Sequence, residues 1–481
     1  MPRPYILFIR CMRKNVMLTR LVQKELLHHL LDLRFVAVFA ICALLSALSI
    51  YVGSQNYLLQ LRDYAQVSET NRRTLQEVTN RGNLWQFLWV GYSWNRRPEA
   101  LSPVVYGLSG TLGKEVHVQY QQPVEFEFSL FETDPIHALF GVLDLAFIVK
   151  VILSLAVLLF TYDAVCGEKE GGTLRLYASF PAPRSTLALA KLVGSTAAVL
   201  VPFAFACLLA SAALALSPGM GLQGGDWMRV GALMGVFGLY LTAFAAFGLC
   251  ASALTHRRMT AFLGLLGLWT LWLFVVPNLS VRASRSLTPV ESAYDLERRC
   301  SALRWEIRGK RQAEGEAYWR RNPVQDWNAL PEARQKELME GIRQIESRWD
   351  AEFYSRLTRI QADRRNQIRG QQRLTAILSA ISPLGAVSFA SMDLARTGFV
   401  QQEQIEKALN AHLIYLGRFI QEKQLQQGDP VLTDFSPFTY QDRETLGECL
   451  SRNASHVLNL ALLTVLGFAG AYVFILRYDV R

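Results

Sequence analysis

Six long apolar runs dominate the chain, at 35–52, 138–162, 192–216, 230–254, 261–278 and 456–476. About 20 mostly apolar residues suffice for a helix to cross a bilayer. Inside hydrocarbon every backbone N–H and C=O needs an internal partner, which a continuous apolar run satisfies as a helix. The expected fold is therefore mainly α, a polytopic membrane protein with six transmembrane helices. The chain is 51% hydrophobic and only 19% charged over 481 residues, against about 25% charge in a soluble domain. The first run resembles the core of a signal peptide, but 34 residues precede it, so it is read as an uncleaved anchor.

Lys and Arg in short loops and near span ends are retained in the cytoplasm. Residues 1–34 carry Arg3, Arg10, Arg13, Lys14, Arg20, Lys24 and Arg34 against Glu25 and Asp32; the loop 255–260 carries Arg257 and Arg258; the tail 477–481 carries Arg477 and Arg481. With six spans these fall on one side together with 163–191. Both termini are then cytoplasmic, and 53–137, 217–229 and 279–455 extracytoplasmic. Long loops translocate largely regardless of charge, so the many arginines of 279–455 fit this arrangement. The net charge of +10 belongs to such loops. No basic run is interleaved with aromatics as a nucleic-acid surface requires, so no nucleic-acid partner is expected.

Within 16–33, Leu18, Leu21, Val22, Leu26, Leu30 and Leu33 recur at helical spacing, although Glu25 and His29 interrupt the stripe. This suits an N-terminal helix lying along the bilayer interface; an extension of the first span is the alternative. Region 53–137 reads as a small mixed α/β part. A polar helix is expected over 57–80, and Val116–Tyr120 and Val124–Phe128 alternate like two strands. The aromatics Trp85, Phe87, Trp89, Tyr92 and Trp94 are expected in core packing. Region 279–455 reads as mainly helical, with 291–320 and 332–380 broken by Pro323 and Pro331 and the second helix expected to kink or break. The apolar stretch 374–395 is read as membrane-adjacent; were it to cross, the spans would number seven.

Catalytic signatures are absent. There is no GxxxxGK[ST] phosphate loop, no HExxH and no GxSxG, and His28-His29 are adjacent rather than at metal-ligand spacing. No metal site, bound cofactor or catalytic residue is expected, so directional work needs energy from another subunit. Asp144 and Lys150 fall inside the second run, where ionisable groups are costly and are candidates for a transport pathway; reaching water or snorkelling is the alternative. An intramembrane enzyme built on Asp144, Lys150 or His137 lacks a nucleophile–base constellation. Gly231, Gly235, Gly238, Gly264 and Gly267 are expected to allow close helix packing. The seven cysteines show no CxxC spacing; Cys300 and Cys449 could pair across the last extracytoplasmic region, or remain unpaired thiols.

The polar island 163–191 separates the second and third runs. Glu168, Lys169 and Glu170 precede Gly171-Gly172, which permit a sharp reversal. Thr173 can N-cap a short helix over 174–180, Pro181 and Pro183 stop it, and Ser185 can cap the next span. Such a short helix between spans, with acidic residues beside it, suits a docking lever for a soluble partner.

Gly167-Glu168-Lys169-Glu170-Gly171-Gly172-Thr173-Leu174, followed by Ser179, Pro181, Arg184 and Lys191, resembles the "GE+E-x-GTL…S-x-P…R…K" pattern of membrane subunits of type 2 ABC exporters. An amphipathic N-terminal helix carrying Lys24-Glu25, the island after the second span and the six spans are similar too. The large insert before the last span resembles a bacterial subgroup akin to permeases for the maturation of copper enzymes such as nitrous-oxide reductase. The motif covers about thirty residues, while the order of spans covers the chain. The resemblance implies a permease of the bacterial inner membrane, itself without catalysis. Its expected partners are an ABC ATP-binding subunit, acting as a dimer and using the ATP, and a second permease, identical or paralogous. The island would be the coupling helix, with Glu168, Lys169, Glu170, Thr173, Leu174 and Arg175 contacting the ATPase. The long extracytoplasmic regions depart from compact members and leave two readings open, export of a substrate or transmission of force to periplasmic proteins.

Overall fold

The computed structural model describes residues 3–80, 84, 87, 90–119, 126–127, 143–173, 183–216, 221–425, 432–442 and 444–477. In chain order the helices are α1 (Arg3–Leu30), α2 (Leu33–Asn80), α3 (Leu145–Phe147), α4 (Ser154–Thr161), α5 (Cys166–Glu170), α6 (Arg184–Leu216), α7 (Gly224–Leu254), α8 (Arg258–Thr270), α9 (Val276–Leu287), α10 (Ala293–Arg321), α11 (Glu332–Ser379), α12 (Pro383–Leu394), α13 (Phe399–Leu425), α14 (Leu446–Arg452) and α15 (Ala454–Arg477). Two π-helical stretches, Ile148–Leu153 and Leu271–Val275, join α3 to α4 and α8 to α9. Among the described residues six helices are long and apolar enough to cross a membrane: Leu33–Asn80, Leu145–Glu170, Ser185–Leu216, Gly224–Leu254, Arg258–Leu287 and Ala454–Arg477. The protein is mainly α and multi-pass, as the six runs require. The chain divides into two compact units, one formed by Met1–Asn278 with Ser379–Arg481 and the other by Leu279–Leu378.

In the larger unit α1 is a helix in its own right rather than an extension of the first span. The chain breaks at Leu31-Asp32, where Asp32 Oδ1 accepts from Arg34 N at 3.0 Å and the Asp32 carbonyl from Phe35 N at 2.9 Å. Helix α1 packs along α6. The polar interruptions of its apolar stripe face inward: His29 is buried, 8% exposed, and the half-buried Glu25 points at Lys191. The first span is longer than its apolar run, because α2 continues unbroken to Asn80. Residues 57–80, expected as a separate polar helix, are its continuation. The third span starts at Arg184, so Ser185 lies inside it and is not its cap.

A three-stranded antiparallel sheet follows α2, ordered β1 (Tyr92–Asn95), β2 (Glu115–Val118), β3 (Phe126–Glu127). Strands β2 and β3 fall where period-two alternation places them; residues 120–125 and 128 lie outside the described residues. Strand β1 comes from the aromatic cluster, and pairs Tyr92 with Val118 and Trp94 with Val116. Phe87 and Tyr92 are core residues, packed with Val116, Val118, Leu409, Phe419, Ile420 and Phe435, and Trp94 packs against them. Trp85 and Trp89 lie outside the described residues. Helix α12 has 12 residues, too few to cross, and is buried against α7 and α15 through Ala386, Val387, Ala390 and Leu394. The 374–395 stretch therefore adds no seventh span. The fully buried Arg229 of α7 donates to the carbonyls of Leu394 (3.4 Å) and Glu444 (3.0 Å). Beside it Asp393 accepts from Arg452 Nε at 2.9 Å and from Asn453 Nδ2.

The smaller unit is a hairpin of α10 and α11. Ser292 caps α10 by accepting from Asp295 N at 3.0 Å. The two helices are joined by Arg356–Glu306 (2.9 Å), Arg311–Asp350 (3.2 Å) and Tyr318 Oη donating to Leu338 O (3.0 Å). The helix does not break: α11 runs 48 residues continuously, roughly 70 Å at 1.5 Å per residue. Cys300 and Cys449 are both free and buried, one in each unit. The disulfide between them is not formed in this structure.

Candidate coupling site

The island begins where the second span ends. Val165 N and Cys166 N, at the start of α5, both donate to Ser252 Oγ of α7, at 3.0 and 3.1 Å. This fully buried serine satisfies two amides that a helix start leaves without intrahelical partners. Helix α5 then presents Glu168, Lys169 and Glu170 in three directions, and each is used. Lys191 of α6 reaches Glu168 Oε1 at 2.7 Å and Glu25 Oε1 of α1 at 3.6 Å, and its Nζ donates to Ala164 O at 2.9 Å. Lys169 Nζ donates to the carbonyls of Ala253 and Thr255, at the end of α7. Glu170 accepts from Arg258 N at 3.0 Å, a carboxylate at the N-terminus of α8 where the helix dipole favours it. Ahead of α5, Asp163 Oδ2 accepts from Arg34 Nη1 of α2 at 3.3 Å.

The island's charges thus tie it to α1, α2, α6, α7 and α8. Cys166 and Gly167 are buried, while Glu170, Gly171, Gly172 and Thr173 form an exposed tip. Gly172 has a φ of +70°, the left-handed conformation that a sharp reversal asks of a glycine. Thr173 Oγ1 donates to Glu168 O at 3.4 Å. Leu174 and Arg175, with the helix expected over 174–180, lie outside the described residues. Sequence spacing did not assign Ser252 or Arg258 to this site, since they come from another loop and span. Glu25 and Lys191 left a signal: each is a lone charge in or beside an apolar stripe. His29 sits one turn from Glu25, edge-on to Phe160, and burial pushes its imidazole below the ordinary value.

The intramembrane pair is placed differently. Asp144 caps the second span, Oδ1 accepting from Phe147 N at 2.6 Å and Oδ2 from Tyr106 N at 2.8 Å. Its carboxylate is committed to backbone. Lys150 lies in the π-helical stretch, where its carbonyl accepts from Ser154 Oγ (2.6 Å) and Tyr240 Oη (2.7 Å), and Trp269 Nε1 donates to Ser154 Oγ (2.9 Å). Those hydroxyls satisfy a carbonyl in an irregular helix, a need that is acute in a span. Among the described residues no cluster of His, Cys, Asp and Glu could hold a metal ion.

The profile of the family described as ABC-2 family transporter protein matches residues 19–480, nearly the whole chain. The chain belongs to the ABC-2 transporter family. Two curated relatives carry the name probable ABC transporter permease protein NosY. The protein from Stutzerimonas stutzeri is 30% identical over 139 residues, 27% of this chain and 48% of the relative. That from Pseudomonas aeruginosa is 33% identical over 129 residues, 24% of this chain and 43% of the relative. The chain thus spans about half the length of the curated relatives it matches. It is a multi-pass member of that family, similar to NosY permeases.

Proposed function

We propose that this ABC-2 permease couples ATP hydrolysis by a separate ATP-binding subunit to export of a substrate across the bacterial inner membrane. A dimer of that subunit would dock at the island 163–191, on the cytoplasmic side with both termini, and a second permease, identical or paralogous, would complete the complex. The observation that carries this reading is the division of labour in the island: an exposed tip at 170–173, on an island whose Asp163, Glu168 and Lys169 face inward to α1, α2, α6 and α7 while Glu170 of the tip meets α8. A push on the tip is thereby delivered to several spans together. The lack of a phosphate loop in the chain accords with hydrolysis in a partner. Glu168, Lys169, Glu170, Thr173, Leu174 and Arg175 remain the proposed contact region, with Glu168 and Lys169 acting mainly inward.

Glu170→Arg is the cleaner test. The Glu170–Arg258 pair is about half exposed on both sides, and exposed pairs contribute about 0–1 kcal/mol, so insertion should survive. Copurification with the ATP-binding subunit, and ATP turnover of the complex, should drop sharply. Unchanged copurification would remove the docking assignment.

A second reading, transmission of force to periplasmic proteins without translocation, is favoured by one observation. The α10–α11 hairpin is a compact unit of its own, laced by surface ion pairs. Deleting 291–375 separates the readings: retained substrate flux supports export, whereas lost function without any flux in the intact complex supports force transmission.

A further inference from the structure

A cleft in the larger unit is walled by the polar end of α2 and by the chain on either side of the β1–β2 ladder. Its volume is about 120 Å³, against the roughly 10–15 Å³ that admits a single water. Arg96, Arg97 and Lys114 line it, with the Ser109 hydroxyl and the carboxylates of Asp63 and Glu99. Formal charges therefore leave it one unit positive.

The ladder sharpens that excess. Asn95 pairs with Glu115, and one step further Arg96 N donates to Lys114 O at 2.8 Å, so the two cations stand directly opposite. Like charges at directly opposed positions are destabilising. Arg96 is partly answered by Gln402 Oε1 at 3.1 Å and by Glu99 Oε1 at 3.5 Å. Lys114 Nζ has no such answer among the described residues. Ser109 Oγ is buried without a hydrogen-bond partner there, and the buried Arg96 Nη2 meets only the Glu99 carboxylate, at 3.5 Å. A buried, unpartnered hydroxyl and two facing cations around one cleft describe a site for oxygen-bearing negative charge.

We propose that this cleft binds a small anion with several oxygen acceptors, a tetrahedral oxyanion or a short carboxylate, held by Arg96, Arg97, Lys114 and the Ser109 hydroxyl. The anion comes from solution. The lining residues of α2 lie some 8–15 positions beyond the end of the first apolar run, about 12–22 Å along the helix, above the reach of a lipid headgroup. The site is independent of the island and of any ATPase docked there.

The test uses the full-length protein in phosphatidylcholine nanodiscs, titrated with sodium sulfate at ionic strength held constant with sodium chloride. Saturable binding by calorimetry is expected, with phosphate or succinate competing. Arg97→Gln, at an exposed position, and Lys114→Gln should each weaken binding about tenfold, and Lys114→Arg should retain it. Sulfate-free melting temperatures equal to wild type establish that the variants are folded. Equal affinity in phosphatidylglycerol nanodiscs is expected; loss of sulfate binding there would give the cleft to a headgroup and overturn the assignment. So would absence of saturable binding by all three anions, or variants that bind as wild type.

Discussion

Lys191 and Glu168 meet at 2.7 Å with side chains only 8% and 19% exposed, and join the third span to the island. Glu25 shares the same ammonium, so one lysine answers two carboxylates. Removing one member of a buried pair costs about 3–5 kcal/mol, mainly because the remaining charge is left uncompensated. Lys191→Met should therefore lower the melting temperature of the solubilised protein strongly. Adding Glu168→Gln should recover part of the loss, with a coupling on the order of 1–3 kcal/mol. Strictly additive effects in that double-mutant cycle would show that the contact carries no stability.

The six spans were legible because apolar runs leave no alternative in a bilayer. Their ends were not. Helix α2 passes from apolar to polar sequence without a break, since nothing at 53–56 stops a helix; the missing side chain of Gly53 leaves room for Pro103, which a Cβ there would meet at 3.1 Å. The island was legible as a site, because charge between two apolar runs must lie at a surface. Which charges face inward was not legible, because Ser252, Arg258 and Lys191 arrive from other helices. The glutamate and histidine that spoiled the α1 stripe look like defects on a helix read alone. Against α6 they are its inward-facing contacts, to Lys191 and Ser195.

Glycine packing shows the same limit. A Cβ at Gly231, Gly235, Gly264 or Gly267 would meet nothing within 4 Å, and one at Gly238 would come only to 3.6 Å from Phe203. The close approaches lie elsewhere: at Gly248 a Cβ would fall 1.9 Å from Thr161 Oγ1, and at Gly467 2.8 Å from Ala246 Cβ. Gly248→Ala and Gly467→Ala should destabilise by about 1–3 kcal/mol. Gly235→Ala should be neutral or stabilising by up to about 1 kcal/mol, the helix preference of alanine over glycine. Thermal melts of the three single variants rank them, and a Gly235 variant as damaged as Gly467→Ala would show that a partner covers that face.

Cys449 lies 3.9 Å from Asp393 Oδ2, and burial together with that carboxylate pushes its thiol up. Cys300 is raised by burial as well. Thiols so placed are mostly protonated and shielded at neutral pH. Single-cysteine variants retaining either one should react with maleimide far more slowly than the same protein in denaturant. Electrophoretic mobility should not change on reduction. A reduction-dependent shift lost in Cys300→Ser would establish the disulfide after all.

Glu99 gives the protein a pH dependence outside its spans. Burial raises its carboxyl from 4.5 to about 7; Arg96 and Arg396 pull it down, and Asp442 pushes it up. Gln401 Nε2 donates to the same carboxyl at 3.5 Å. Because the folded value lies above the unfolded one, folding takes up a proton in this range. The contribution is fully present below about pH 4.5 and is lost as the pH rises through about 7. At about 1.4 kcal/mol per unit the full swing is on the order of 3 kcal/mol at most. The melting temperature should therefore fall between pH 5 and pH 8, and Glu99→Gln, which stays neutral throughout, should flatten that part of the profile. A wild-type profile that rises over this interval, or a variant with an unchanged slope, would place the titrating group elsewhere.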